Sequence, residues 1–438
     1  MQLRSILAMA WPILLAMFAQ SAFTLVELAL VGHLGKEATS ALGLGAFLFT
    51  AVFAVLVGIS VGVQGYAAEY SGKGDFKAVD AVLRAGLACS LIGGLVAMVI
   101  SYACARPVFS ILTSDAKVAS DAATYFAIRA ASLPALAANG AFRGYFKGIS
   151  QPWIYTLTLV AMLLLNGLLD WLLIFGNLGL PRLGLAGAAL GFTIAAWAGI
   201  FLYLLIWLRN PERLRERLWP SAEMVLAIAS RSVPAGFQQL IGVLSFPMLM
   251  FFMAQIGTDA LAAGTILLNI TLAMILIGQA FGFASATFVS ECIGRGDVMV
   301  GKAISLKVSG VAVTVALAFA LPFIIAPAYA LSAFTNDTAV IEAARLSAFL
   351  IALAIPIDAF GMVVMQTMLG VGQGKKVIML SLILQWAIAM PASFCLGVLF
   401  EYGMLGIWVP QIFARTMQSA LLGMHWFRRR SEPLPAAE

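Results

Sequence analysis

Charged side chains are scarce in this chain of 438 residues, where Asp, Glu, Lys and Arg together make up 11% of the sequence. Soluble domains carry roughly 25%. Histidine occurs only twice, and the four cysteines show no CxxC spacing. A phosphate-binding loop and a dinucleotide fingerprint are also missing. These shortages argue against a water-soluble protein, a metal or disulfide framework, and an enzyme; we expect no cofactor.

Hydrophobic residues make up 62% of the chain, and the mean hydropathy is +0.99. Apolar runs recur along the whole sequence, and each is long enough to cross ~30 Å of hydrocarbon as a helix. We therefore predict an all-α polytopic membrane protein in contact with a lipid bilayer. The sequence predicts about twelve spans, at 5–32, 41–68, 82–106, 118–142, 152–177, 184–208, 222–256, 261–289, 301–329, 341–367, 377–399 and 404–427.

The chain contains an internal duplication, in which the second half repeats the first at one constant offset. Pro12 aligns with Pro234 at that offset, and the segment 72–75 (GKGD) aligns with 294–297 (GRGD). Six spans in each half predict two parallel six-helix lobes related by a pseudo-two-fold axis along the membrane normal. The predicted domains are an N-terminal lobe at 1–208, a cytoplasmic linker at 209–221, a C-terminal lobe at 222–428 and a cytoplasmic tail at 429–438.

Lysine and arginine concentrate in alternate connecting segments, beginning with the N-terminus. The positive-inside rule then places both termini in the cytoplasm. We predict a multi-pass protein of the bacterial inner membrane. The net charge of +6 comes from residues at the ends of spans, so no nucleic-acid partner is expected. We expect a monomer.

The most informative stretch is Asn166-Gly-Leu-Leu-Asp170, inside a long apolar run. A spacing of four places Asn166 and Asp170 on one helix face. An ionised Asp near a bilayer centre costs roughly 2.5–3.5 kcal/mol. Glu27 in the first span adds a second acid, and the duplicated half has apolar residues at all three positions. We interpret the three side chains as a functional site; interhelical hydrogen bonding is the alternative.

Three further features of the spans lead to expectations. Asp358 in the tenth span has no acidic counterpart in the first half. Pro12 and Pro234 lie inside long apolar helices, where each permits a kink that either acts as a hinge or only shapes the helix. Arg129 and Arg415 either pair with acids or extend to an interface, and the second interpretation is favoured.

A poorly solvated carboxyl group can load and release a proton near neutral pH. Two carboxylates and an amide can equally offer oxygen ligands to sodium. Either ion would neutralise the site and change the preferred helix packing, as a coupled transporter requires. An acidic cavity with aromatic and Met-rich walls also suits a lipophilic organic cation. The residues alone leave proton and sodium coupling open.

These motifs closely resemble the multidrug and toxic compound extrusion family, and the resemblance covers essentially the whole chain. It is carried by AWPILLAMFAQSAFTLVELALVGHLG in the first span, by the loop AAEYSGKGDFKAV and by LNGLLDWLLIFGNLGLPRLGLAGAALGFTIA in the fifth and sixth spans. The resemblance is greatest to the DNA-damage-inducible-type branch. It implies two six-helix lobes around a cleft, and efflux of organic cations in exchange for protons or sodium.

The resemblance also implies roles for particular residues. Glu27, Asn166 and Asp170 fall on the family's N-terminal-lobe cation site, with Thr193 as a weaker member. Asp358 falls on an acid associated with sodium coupling in another branch. The family's first-span acid is usually Asp, and the seventh-span acid of the sodium-linked branch is missing here, which favours proton coupling. The alternative function is a lipid-linked precursor flippase of related fold.

Overall fold

The computed structural model describes residues 3–209 and 220–428. Within those ranges the chain is helical and contains no strand. The first half forms α1 (Leu3–Gly32), α2 (Lys36–Gly72), α3 (Phe76–Leu112), α4 (Ala116–Ala130), α5 (Leu133–Gly148), α6 (Pro152–Phe175) and α7 (Leu185–Trp207). The second half forms α8 (Ala222–Ile256), α9 (Thr258–Gly294), α10 (Val298–Ile325), α11 (Pro327–Ser332), α12 (Thr338–Gly370), α13 (Gly374–Leu399, with π-helical turns) and α14 (Gly403–Arg428).

The helices divide into two compact units. The N-terminal lobe comprises Trp11–Leu240, and the C-terminal lobe comprises Met1–Ala10 with Ile241–Glu438. The division therefore falls inside α1 and α8, whereas the duplication placed it at 209–221. Most of that predicted linker, and the tail at 429–438, lie outside the described residues.

Ten of the described helices are long and apolar enough to cross a membrane. Of the twelve predicted spans, those at 118–142 and 404–427 do not meet this criterion. The second of them is α14, which is less apolar because it carries Gln411, Arg415 and Gln418. These side chains are hydrogen-bonded within the C-terminal lobe.

The predicted span at 118–142 is two helices, because the chain breaks at Ala131–Ser132. The Ser132 amide and hydroxyl both donate to the Arg129 carbonyl, at 2.9 and 2.6 Å, and so close the end of α4. Pro134 then starts α5, where its missing N–H is tolerated. The counterpart of Ser132 in the duplicate is Ala354, which has no hydroxyl, and there α12 continues through Pro356.

Two turns of the first half have close equivalents in the second half. Asp115 caps α4 by accepting from the amides of Lys117 and Val118, and its counterpart in the duplicate, Asp337, caps α12. Gly74 and Gly296, which also occupy equivalent positions, have φ of 75° and 85°. That left-handed conformation favours glycine. The duplication therefore extends to the residues that end and start the helices.

A close helix contact is also present in both halves. In the N-terminal lobe α2 packs on α5, and a Cβ at Gly144 would lie 2.3 Å from the Ser60 carbonyl oxygen. In the C-terminal lobe α9 packs on α12, and a Cβ at Gly282 would lie 2.7 Å from the Gln366 Cβ. Gly282 corresponds to Ser60 and Gln366 to Gly144. The glycine that permits the close approach is therefore on α5 in the N-terminal lobe and on α9 in the C-terminal lobe.

We expect Gly144→Ala to lower the thermal unfolding midpoint in detergent, because the new methyl group meets backbone that cannot move aside without separating α2 from α5. Overpacking of this kind costs about 1–3 kcal/mol. Gly43→Ala, on α2 with nothing within 4 Å of its added carbon, is the matched control and should show no loss. Equal midpoints for the two variants would contradict the close packing of α2 and α5.

Candidate functional site

Glu27 on α1 forms an ion pair with Arg129 on α4, with 2.7 Å between Oε1 and Nη1. Both side chains are buried. The Tyr125 hydroxyl donates to the same Glu27 oxygen at 3.1 Å and also contacts the Arg129 guanidinium. The first-span acid is therefore neutralised by a guanidinium and further stabilised by a phenol.

Arg129 is held among aromatic rings as well as by its acid. Its guanidinium carbon lies 3.8 Å from the centroid of the Phe192 ring and 5.0 Å from that of Phe49. A guanidinium stacks favourably on such faces, more so where water is excluded. The break after α4 places Arg129 in the last turn of that helix, where the helix dipole favours a cation.

Asp170 on α6 is fully buried, and within the described residues neither of its carboxylate oxygens has a hydrogen-bond partner. The charges of Glu27 and Arg129 both act on it, and the Asn166 side chain lies beside it. Asn166 is 2% exposed, and its amide nitrogen has no hydrogen-bond partner in residues 3–209 and 220–428. An isolated buried carboxylate is costly in a low dielectric. Asp170 therefore favours any cation that reaches it.

α7 approaches Asp170 so closely that only glycine fits. A Cβ at Gly191 would lie 2.6 Å from Asp170 Oδ1 and 3.3 Å from the Asp170 amide nitrogen. Two residues on, the Thr193 hydroxyl donates to the Ala189 carbonyl at 2.8 Å and lies 3.2 Å from the Ile128 carbonyl. Thr193 thus lies at the contact of α7 with α4, and its hydroxyl is engaged with backbone. Its role as a site residue stays a prediction.

The C-terminal lobe contains a separate ion pair. Arg415 Nη1 on α14 lies 2.8 Å from Asp358 Oδ2 on α12, and both side chains are half-buried. The preference for Arg129 and Arg415 extending to an interface was therefore wrong. Each pairs with an acid, because in an apolar interior a nearby carboxylate stabilises a guanidinium more than apolar contact does. A coupling role for Asp358 stays a prediction.

Pro12 lies inside α1, and Pro234 lies within α8. The Pro12 carbonyl accepts a hydrogen bond of 2.7 Å from the Thr156 hydroxyl on α6. That bond connects α1 to the helix that carries Asp170. Bending at either proline stays a prediction.

Sequence reasoning missed Tyr125 and Gly191, and it favoured an interface over an acid as the position of the Arg129 guanidinium. The duplication contained the signal for Arg129, because its counterpart is the apolar Ile351. The comparison that singled out Glu27 also applies to Arg129. Tyr125 precedes Arg129 by four residues and shares its helix face. Gly191 had no signal, since its role depends on the distance between α6 and α7.

The MatE family profile matches this chain twice, at residues 12–172 and 234–395. The two matches start at Pro12 and Pro234, the prolines that the duplication aligns, and together they cover most of the chain. The chain belongs to the MATE family of transporters. The predicted family and all-α membrane fold are confirmed, and a transporter family agrees with the expectation that the chain is not an enzyme.

Curated MATE relatives match over nearly the full length. A probable multidrug resistance protein NorM of Neisseria meningitidis is 25% identical over 96% of this chain and 93% of its own. A probable NorM of a Synechococcus species is 26% identical over 100% of this chain and 98% of its own. These names do not test the predicted branch within the family.

Solved MATE structures share the fold. An outward-facing multidrug resistance MATE transporter matches with a TM-score of 0.85 at 20% identity, over 97% of this chain and 95% of its own. The eukaryotic MATE transporter AtDTX14 matches with a TM-score of 0.80 at 16% identity, over 97% of this chain and 96% of its own. At such identities the likeness shows the fold alone.

We expect Gly191→Ala to displace the Asp170 carboxylate, because the added carbon overlaps one of its oxygens. The cost in stability should be about 1–3 kcal/mol, measured as a lower unfolding midpoint in detergent. Gly310→Ala, with nothing within 4 Å of its added carbon, is the control. An unchanged midpoint for Gly191→Ala would mean that α7 does not press on Asp170.

Proposed function

We propose that this protein is a secondary active multidrug efflux antiporter. It exports lipophilic organic cations in exchange for protons by alternating access. Membership of the MATE family and the names of the NorM relatives support multidrug efflux. The observation that carries the coupling is the fully buried Asp170, for which the described part of the chain offers no hydrogen-bond partner to either oxygen.

Asp170 suits proton exchange because its charge has no resident partner. When it binds a proton, the charges of the site sum to zero, since Glu27 is already paired with Arg129. When it loses the proton, one negative charge remains buried, and a cationic substrate stabilises it. A proton and a substrate cation thus compete for one carboxylate, and each displaces the other.

The same geometry favours protons over sodium as the coupling ion. A hard cation needs several oxygen ligands at once. Glu27 Oε1 accepts from both Arg129 and Tyr125, which leaves fewer oxygens free around Asp170 than two unpaired acids would offer. A proton needs only one carboxylate oxygen.

The aromatic faces around Arg129 support an organic cation as the substrate. Phe49 and Phe192 already stabilise a delocalised cation, the guanidinium itself. Aromatic side chains stabilise a quaternary ammonium or an aromatic cation in the same way. The apolar helices and the bacterial relatives support a location in the bacterial inner membrane. We also propose that both termini lie in the cytoplasm and that the protein is a monomer.

The test is ethidium efflux from proteoliposomes containing the full chain, with a pH gradient and a sodium gradient imposed separately. We expect the pH gradient alone to drive efflux. Asp170→Asn should abolish this efflux while the protein stays monodisperse and inserted, because the variant removes the group that exchanges protons. Asp358→Asn is the comparison in the other lobe and should retain most of the efflux.

Three outcomes would count against the proposal. Efflux driven only by sodium and lost in Asp358→Asn would move coupling to the C-terminal lobe. Unchanged active efflux in a well-folded Asp170→Asn protein would leave Asn166 and Asp170 as residues that hold helices together. No efflux under either gradient would favour the lipid-linked precursor flippase.

A further inference from the structure

The charges of the N-terminal-lobe site do not balance. Two carboxylates, Glu27 and Asp170, face one guanidinium, Arg129. In the described part of the chain, these are the charged groups that act on Asp170. Tyr125 adds an uncharged phenol. The described faces of α6 and α7 at this point add Asn166 and Thr193, which are neutral. With both acids ionised, the site has one unbalanced negative charge.

The C-terminal lobe has a different balance. Asp358 and Arg415 form a pair of one acid and one base, so the charges there sum to zero. Within the described residues, a buried acid without a partner is found at Asp170, and it lies in the N-terminal lobe. The need for an added cation is therefore a property of that lobe.

Arg129 is a permanent member of the site. Its guanidinium keeps its charge at any physiological pH. It is bonded to Glu27, stacked on Phe192 and placed at the end of α4 by the Ser132 hydrogen bonds. The two ionised acids contribute a charge of −2 and the guanidinium contributes +1, so the net charge of the site is −1.

We propose that Arg129 fixes the site at one unbalanced negative charge and thereby selects singly charged organic cations over doubly charged ones. This inference rests on the proposed function and adds to it the charge of the substrate. A singly charged cation, or a proton, brings the site to zero. A doubly charged cation leaves one positive charge in a low-dielectric interior, beside Arg129, which is unfavourable.

The test compares ethidium, with one positive charge, and propidium, with two, on the same ring system. Binding of each dye to the purified full chain in detergent is measured by fluorescence titration. The wild type should bind ethidium more tightly than propidium by about tenfold or more. Arg129→Gln leaves two acids without a base, so at a pH at which both acids are ionised the preference should be lost or reversed.

A double variant separates charge from shape. Glu27→Gln with Arg129→Gln again leaves one acid, Asp170, and should restore the preference for ethidium. Arg129→Lys keeps the charge and should retain it. Lys117→Gln removes a positive charge from the same helix, but Lys117 is exposed and pairs with Glu37, so it is the control for a general charge effect. Each variant is first checked for monodispersity.

A proton titration tests the charge balance without any organic cation. Between pH 5 and 9, Arg129→Gln should take up about one more proton per molecule than the wild type, because Glu27 has lost its counter-ion. The double variant should return to the wild-type number. The same detergent and protein concentration serve all three proteins.

The outcomes are distinguishable. An ethidium preference that persists unchanged in a folded Arg129→Gln protein overturns the selection. An unchanged proton number in that variant overturns the charge balance, whatever the dyes do. Wild-type protein that binds neither dye refutes the organic-cation function itself, and the proton titration still decides whether Arg129 sets the charge of the site.

Discussion

The ion pair between Glu27 and Arg129 is the interaction on which the N-terminal lobe's polar interior depends. A charge in a bilayer-spanning segment persists only where the protein stabilises it. Here the Ser132 hydrogen bonds end α4 just after Arg129. The Tyr125 hydroxyl donates to Glu27, and the Arg129 guanidinium stacks on the Phe192 ring. Removing either charged partner would leave the other buried and uncompensated, at a cost of roughly 3–5 kcal/mol.

The duplication separates what the helices need from what the site needs. Both halves keep a capping aspartate (Asp115 and Asp337), a left-handed glycine (Gly74 and Gly296) and a small residue at a close helix crossing. The ionisable groups differ. Each lobe has an arginine paired with an acid, but the pair joins α1 to α4 in one lobe and α12 to α14 in the other. Arg415 even occupies the position equivalent to Thr193. Packing constrained both copies equally, whereas the polar interior diverged.

Much of the fold was predictable from sequence, because spans follow from apolar length and the repeat from a constant offset. The constant offset singled out Glu27 and Asp170 in the N-terminal half, and both side chains are buried. The break at Ala131–Ser132 was not predicted, since one hydroxyl decides where α4 ends. The partner of Arg129 was missed for a related reason. Linear sequence gives the depth of a charge along its helix, and pairing depends on which helices are neighbours.

A site whose charges all balanced would have nothing to exchange. Asp358 and Arg415 are stable in place because each completes the other. Asp170 is different, because burial of a carboxylate without a partner costs free energy. The absence of a side chain at Gly191 leaves the space that this carboxylate occupies. The cost is useful only if it is relieved by something that arrives and leaves. Under the proposed function, the imbalance between two acids and one fixed guanidinium is thus the physical feature that would distinguish an exchange site from a structural ion pair.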